Sequence, residues 1–413
     1  MALTGRVFIY GMNYAPELIG VGRYTGEIGA YLATAGCRID VITAVPHYPG
    51  WSVRDGYSNW FSVKRDHGQR VTRCPIILKK EMRGIWRLIA PLSFAIFSLP
   101  ILLWRMLTVR PDVVFCVEPT LFAAPAALIL AKLVGSRSVL HVQDLEVDAA
   151  FAVGHLGNNR FKAIAHGFER LVLRGFDSVV TISRRMRDQL AAKGVEPKKL
   201  HVIRNWVDLD KIKPLNRLST FRAELAVAES AFVALYAGNI GAKQALHLLF
   251  EAAVRLKDNP AILFAIAGEG PEKAALLSRY GGLPNVRFLP LQPEEKLCEL
   301  LGFADVHLLP QLEGTADLVL PSKLGGMLAS GKACIVMAEP GTELHSFLGD
   351  SVRVIPPGDS DELAEAILAA SRADGEAGTE PRLTLANSLR SETNLDAMSR
   401  LILGRDLTEA DVR

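Results

Sequence analysis

Glycines and single cations placed just beyond apolar runs carry the chemistry that this sequence could do. The run Phe232-Val-Ala-Leu-Tyr236 leads into Ala237-Gly238-Asn239-Ile240-Gly241-Ala242-Lys243-Gln244. Glycines at a strand-to-helix turn let backbone N–H groups approach a phosphate, the helix start attracts anions, and Lys243 can neutralise a diphosphate. The run Ile262-Leu-Phe-Ala-Ile266 ends in Ala267-Gly268-Glu269-Gly270-Pro271, a second loop where backbone can come close to a ligand. Near the N-terminus, Gly20-Val21-Gly22 opens a helical pattern in the same way. The turn after Tyr236 has neither the Gly-Lys-[Ser/Thr] ending of a P-loop nor a full Gly-x-Gly-x-x-Gly fingerprint, so it points to a nucleotide diphosphate held without either motif. Histidines show no metal-ligand spacing, and the only Asp-x-Asp near these loops, Asp208-Leu-Asp210, lies in a connecting stretch, so no metal cofactor is expected.

Such loops need a scaffold that sets strand ends side by side, and the chain supplies one twice. Short apolar runs at 6–10, 38–43, 113–117, 139–142 and 178–182 alternate with helical patterns at about 21–35, 122–134, 159–174 and 184–193. The alternation restarts after residue 205, with strand candidates at 232–236, 262–266, 286–289, 306–309, 334–337 and 352–355. Runs buried on both faces and joined by helices predict parallel sheets, with ligands beyond the carboxyl ends of the strands. The expected organisation is an α/β domain over 1–205 and a second over 206–389, with a helix at about 390–413 packing back on the first.

The 413 residues fit two or three domains, and 47 Lys and Arg against 44 Asp and Glu leave a net charge of +3, too balanced to predict nucleic-acid binding. Cys37, Cys74, Cys116, Cys298 and Cys334 are scattered and read as core side chains in a reducing compartment. The N-terminus runs into a strand without a signal pattern, and a cytoplasmic protein is expected. Charge is uneven, however. Between Arg54 and Arg87 the basic residues Lys64, Arg65, Arg70, Arg73, Lys79, Lys80 and Arg83 outnumber Asp55, Asp66 and Glu81. Residues 88–104 then carry no charge but include Pro91 and Pro100. That run is just short of the about 18–20 residues of a spanning helix, so it reads first as an interfacial membrane helix, then as a buried helix pair, and last as a true span. The stretch from Arg54 to Trp104 is thus a candidate contact with the membrane surface.

Taken together, the motifs resemble a known family. Tyr236-Ala-Gly238-Asn-Ile-Gly241-x-Lys243, Ala-Gly268-Glu-Gly-Pro, Leu320-Pro-Ser322-Lys323-Leu, Ala329-Ser-Gly331-Lys and Ile355-Pro-Pro-Gly358-Asp are similar to the donor domain of retaining glycosyltransferases of family four. Tyr10-Gly-Met-Asn-Tyr-Ala-Pro-Glu-Leu-x-Gly20, Pro46-His-Tyr-Pro49 and Leu140-His-x-Gln-Asp144 resemble the colanic acid biosynthesis fucosyltransferase-like subgroup. The resemblance implies a GT-B fold, two Rossmann-like doubly wound domains facing across a cleft. It implies that Lys243 and Lys323 neutralise the donor diphosphate, that Gly20, Gly22, Gly238, Asn239, Gly241 and Ser322 lie near it, and that Gly268, Gly270 and Gln292 border base and ribose. Glu343 is a further donor candidate, Asp144 is the catalytic candidate on the acceptor side, and His47 and Tyr48 are acceptor candidates. His141, inside a strand, reads as core.

Two positions depart from the family pattern. Asn239 stands where many members carry Arg, and the Glu-x7-Glu motif is absent, with Leu318 and Gly326 at its two positions and Asp317 or Glu313 nearby. The expected activity is transfer of a sugar from a nucleotide diphosphate sugar, GDP-fucose by the subgroup, to a lipid-linked saccharide at the inner face of the cell membrane. No nucleic acid and no cofactor are expected. Two rivals stay open: a GT-B nucleotide-sugar epimerase, and a non-catalytic relative that binds a nucleotide sugar in a polysaccharide assembly complex.

Overall fold

The computed structural model describes residues 5–17, 20–66, 68–79, 86–119, 121–145, 159–241, 244–313, 318–373 and 378–406. It divides into two units, Met1–Asn205 with Thr393–Arg413, and Trp206–Glu392. The first unit is built on β1 (Arg6–Tyr10), β2 (Arg38–Ala44), β3 (Ser62–Asp66), β4 (Gln69–Cys74), β5 (Val113–Glu118), β6 (Arg137–Val142), β7 (Ser178–Thr181) and β8 (Leu200–Val202). They form an eight-stranded sheet in the order β3-β4-β2-β1-β5-β6-β7-β8. Its pairings are parallel except β3 with β4. Every residue of β5 is buried, as a strand covered on both faces requires. The antiparallel β3–β4 pair lies within the basic stretch, whose charge masked its strand character. Lys64 and Arg65 are exposed on β3, the edge strand, where charged side chains discourage further pairing.

Five described helices belong to the first half: α1 (Val21–Thr34), α2 (Trp86–Val109), α3 (Ala124–Val134), α4 (Asn159–Gly175) and α5 (Arg184–Ala192). The uncharged run is a single helix with Pro91 and Pro100 inside it, not a helix pair. Its inward stripe is Ala90, Phe94, Ser98, Leu102 and Met106, all buried at a spacing of four. Ser98 Oγ lies 2.7 Å from the hydroxyl of Tyr10, and the rings of Tyr10 and Phe94 are 5.5 Å apart. Burying Phe94, Leu102 and Met106 is worth about 1.5–3 kcal/mol each, so this face anchors α2 to the sheet.

The second unit contains β9 (Phe232–Ala237), β10 (Ile262–Ala267), β11 (Val286–Leu289), β12 (Val306–Leu309), β13 (Ala333–Met337) and β14 (Arg353–Ile355). This six-stranded sheet has the order β11-β10-β9-β12-β13-β14, parallel throughout. Its helices in chain order are α6 (Thr220–Glu224), α7 (Leu246–Arg255), α8 (Lys273–Tyr280), α9 (Leu297–Phe303), α10 (Leu324–Ala329), α11 (Glu343–Leu348), α12 (Ser360–Ala370) and α13 (Thr379–Ser388). The final helix, α14 (Ser391–Ile402), starts with the Ser391 N–H donating to the Val207 carbonyl at 3.0 Å, and from Thr393 onward its residues belong to the first unit. In each sheet the chain first moves one way and then returns to the other side of its first strand, which creates a switch point between β1 and β5 and another between β9 and β12. Ligands of open parallel sheets bind at such points.

Candidate functional site

At the switch point of the second unit, the penultimate residue of β9 is buried Tyr236, whose hydroxyl donates to the Asn239 carbonyl at 2.6 Å and folds the glycine turn over the strand end. Gly238 has φ of 155°, and a Cβ there would stand 3.4 Å from Lys323 Cδ and 3.5 Å from its Nζ. Lys323 directly precedes α10, and its ammonium lies 4.1 Å from the centre of the Tyr236 ring, a cation–π contact. Desolvation in this setting pulls the Lys323 pKa down from 10.5 to about 7. Burial pushes the Tyr236 phenol up, so it keeps its proton and its bond to Asn239. The structure therefore brings together Gly238, Asn239 and Lys323 from the sequence reading and adds Tyr236, which a search for glycines and cations passes over as a core aromatic.

The two glycine loops are packed on one another. A methyl group at Gly268 would overlap the Gly238 carbonyl oxygen, and one at Gly270 would overlap the Ile240 carbonyl oxygen. The Gly238 N–H donates to the Ala267 carbonyl and the Ile240 N–H to the Glu269 carbonyl, both at 2.9 Å. Lys273 closes the arrangement, its Nζ donating to the carbonyls of Gly268 at 2.9 Å and Leu289 at 3.3 Å and pairing with Glu269 at 2.6 Å. What approaches these glycines is thus the neighbouring loop. Gly241 leaves room for the Asn239 amide, which donates to Gln244 Oε1 at 3.4 Å. Ser322 is exposed beside Lys323, while the Gln292 amide is turned back to the Pro290 carbonyl at 3.0 Å.

Lys243 lies outside the described residues, as does Asp317. Glu343 is the first residue of α11, capped by Thr342, and is only 3% exposed, so its carboxylate faces protein rather than an open surface. At Gly326, where the resemblance would put the second Glu of the missing motif, a Cβ would point at Leu301 and Ile212, 3.1 and 3.7 Å away. An acid does not fit that apolar surrounding without rearrangement.

At the strand ends of the first unit a buried carboxylate organises two loops. Glu17 Oε1 accepts the backbone N–H of His47 at 3.1 Å and of Tyr48 at 3.0 Å, and Oε2 accepts the Asn13 amide at 2.9 Å. Gly22 has no side chain because a Cβ there would sit 2.8 Å from Glu17 Cβ. Gly20, with φ of 66°, passes close to the Tyr48 ring, 3.3 Å from the position of its Cβ. Tyr48 is 39% exposed. The His47 ring is turned inward, with Nδ1 bonded to the Val45 carbonyl at 2.9 Å and 3.5 Å from Glu17 Oε1. Asp144 is exposed two residues beyond β6, next to buried Gln143. His47 Nε2 and Gln143 Nε2 are buried with no hydrogen-bond partner among the described residues, and Glu118 is buried at the end of β5. Glu17 and Gln143 sit inside motifs that the sequence displayed and Glu118 just beyond the run at 113–117, but burial of a carboxylate is a tertiary fact that no spacing announces.

His141 is core, stacked on Phe115 with ring centres 5.7 Å apart and its pKa pulled to about 3 by burial. Asp208 accepts the N–H groups of Asp210 and Lys211 in a turn, and no three His, Cys, Asp or Glu side chains gather for a metal among the described residues.

Comparison with known proteins agrees with this architecture. The family described as glycosyl transferase 4-like domain matches residues 20–206, and the family described as glycosyl transferases group 1 matches residues 231–372. A protein of Escherichia coli K12 named as a colanic acid biosynthesis glycosyl transferase, WcaI, is 40% identical over 89% of this chain and 91% of its own. A D-inositol 3-phosphate glycosyltransferase of Geodermatophilus obscurus is 33% identical over 42% of this chain and 40% of its own. Among solved structures, sucrose-phosphate synthase of Thermosynechococcus elongatus superposes with a TM-score of 0.72 at 15% identity, covering 96% of this chain and 98% of that one. HepE of Anabaena in complex with UDP gives 0.69 at 14% identity, covering 97% and 99%. With a doubly wound parallel sheet in the second unit, a mostly parallel one in the first, two family models that together span most of the chain, and a relative alike along nearly its whole length, the chain belongs to the two-domain GT-B glycosyltransferases.

Proposed function

We propose that the protein moves a sugar from a nucleotide diphosphate sugar to a lipid-linked saccharide during synthesis of an exopolysaccharide or cell-surface polysaccharide. The observation that carries the reading is Lys323, held over Tyr236 and against Gly238 at the switch point of the second sheet. In the transfer, the bond from the sugar's anomeric carbon to the diphosphate breaks and the electron pair leaves with the phosphate oxygen. The bond from that carbon to an acceptor hydroxyl oxygen forms, and the hydroxyl proton goes to a base, for which Asp144 is the candidate. Lys323, with Lys243, would stabilise the charge that grows on the diphosphate, the largest single term in such reactions. That arrangement needs no metal. The colanic acid name of the 40% identical relative supports the polysaccharide, and the UDP complex of HepE supports a nucleotide diphosphate as donor group. Anomeric retention and GDP-fucose extend the reading by resemblance, and the site of work is the inner face of the cell membrane.

Gly326 favours one second reading, a non-catalytic binder, because the ribose-binding acid of the family pattern is missing there. One experiment separates the two. The purified chain is titrated with GDP, UDP and ADP while its melting temperature is followed, since a ligand of the native state raises stability by RT ln(1 + [L]/Kd). Incubation with the labelled sugar of the best nucleotide and a lipid extract from polysaccharide-producing cells follows. The transferase reading expects label in the lipid fraction, abolished in Lys323→Ala. A nucleotide response without transfer makes the protein a binder, and a changed sugar in the absence of lipid makes it an epimerase.

A further inference from the structure

The outer surface of the helices on one face of the first sheet is apolar and cationic at once. α2, α3 and α4 join β4 to β5, β5 to β6 and β6 to β7, which all step in the same direction across the sheet. Right-handed crossovers therefore put these three helices on one face, along with α5, which joins β7 to β8 in the same direction, and α3 packs against both α2 and α4. Ile96 and Leu107 on α2, Ile129 and Leu133 on α3, and Ile164 and Leu171 on α4 point away from the core, each 53–73% exposed. The outward side of a surface helix is normally polar, and apolar patches spread over three elements mark interaction sites. Charge on these helices has one sign. Lys132, Arg170 and Arg174 are exposed, α2 and α3 contain no acid, and the acid of α4, Glu169, is buried and paired with Lys193 at 2.6 Å.

Charge decides what covers this face. In a symmetric contact between two copies the same patch meets itself, which sets these cations against one another. An anionic bilayer satisfies both halves of the surface, with acyl chains taking the Leu and Ile side chains and headgroups taking the Lys and Arg. α2 is long and apolar enough to span, but only at the expense of its inward stripe of Phe94, Leu102 and Met106, which fills the first core. We propose that the outer face of α2, α3 and α4 docks on an anionic lipid bilayer with the helices lying along the membrane plane. This goes beyond the stretch from Arg54 to Trp104 that sequence suggested, since α3 and α4 supply the most exposed apolar side chains. It rests on the membrane site of work in the transferase reading but on none of the donor-site residues.

The test is flotation of the full chain with vesicles of phosphatidylcholine alone or with about a third phosphatidylglycerol, a content that gives a negative surface. The chain is expected to float with the anionic vesicles and to be released by high salt. Leu133→Glu with Leu171→Glu, both 73% exposed and so free of folding roles, should weaken binding at least about tenfold while leaving the nucleotide-induced melting shift intact. Leu277→Glu, 47% exposed in the second unit, should float like the parent. The proposal falls if the parent chain stays at the bottom of the gradient or if the double variant floats undiminished. It falls as well if sedimentation velocity shows a dimer that the double variant dissolves, because the face would then be covered by a second copy. Loss of the nucleotide response in the parent would instead sink the transferase reading and leave flotation unaffected.

Discussion

Lys323 is where burial and chemistry pull in opposite directions. Its folded pKa of about 7 lies below the ordinary 10.5, so the fold prefers the neutral amine. Stability lost to protonating it therefore grows as pH falls from about 10.5 to 7 and is constant below that. A diphosphate prefers the ammonium, so nucleotide affinity should be highest below pH 7 and fall as pH rises through it. Lys323→Met is expected to raise the melting temperature at pH 6–7 by about 2–4 °C, with the gain vanishing near pH 10, while weakening nucleotide binding at least about tenfold. Lys323→Arg keeps the charge across this range and should flatten the pH profile of binding. Parallel melting and titration series from pH 5 to 10 check both, and a Met variant that is less stable at pH 6 would show that the lysine is not held against its preference.

The glycine loops show what elements add to residues. Gly238 and Gly268 were legible as places where backbone comes close to something, and the strands that present them were legible as apolar runs between helical patterns. What comes close to Gly268 was not legible, because it is the carbonyl of Gly238, brought there by the parallel pairing of β9 with β10. The same holds for Glu17, whose partners His47 and Tyr48 come from a loop that only the sheet order places beside its own. The β3–β4 pair was missed because basic side chains occupied positions where a strand reading looks for apolar ones. Gly268→Ala should displace the 238–241 turn, since φ of 144° and the overlap with the Gly238 carbonyl leave no room for a methyl group. Nucleotide affinity should drop at least about tenfold with the circular dichroism spectrum unchanged, in line with about 1–3 kcal/mol for a forced local rearrangement. Gly282→Ala, where nothing lies within 4 Å, is the control and should bind normally.

At the scale of the molecule, composition and the restart of the βαβ pattern after residue 205 were enough to read two sheets. Which outer helix faces were left apolar was not, because inward and outward stripes of α2 are equally hydrophobic and only the packing of Phe94, Leu102 and Met106 distinguishes them. The chain's end carries a consequence of its own. Residues from Thr393 onward belong to the first unit although they follow the second in sequence. Met398, Leu401 and Ile402 are at most 3% exposed, and Leu403 Cδ2 lies 3.4 Å from where a Cβ of Gly5 would be. At about 1.5–3 kcal/mol for each buried side chain, ending the chain after residue 392 removes roughly 4–9 kcal/mol from the first unit. The contacts of the Gly238 and Gly268 loops lie within the second unit and are untouched by that truncation. In calorimetry, the transition that nucleotide does not shift should fall by about 10 °C or more, and the transition that nucleotide raises should stay in place with an unchanged response. If the shortened chain loses its nucleotide response, the nucleotide site draws on the C-terminal helix, and the assignment of that site to the second unit alone is wrong.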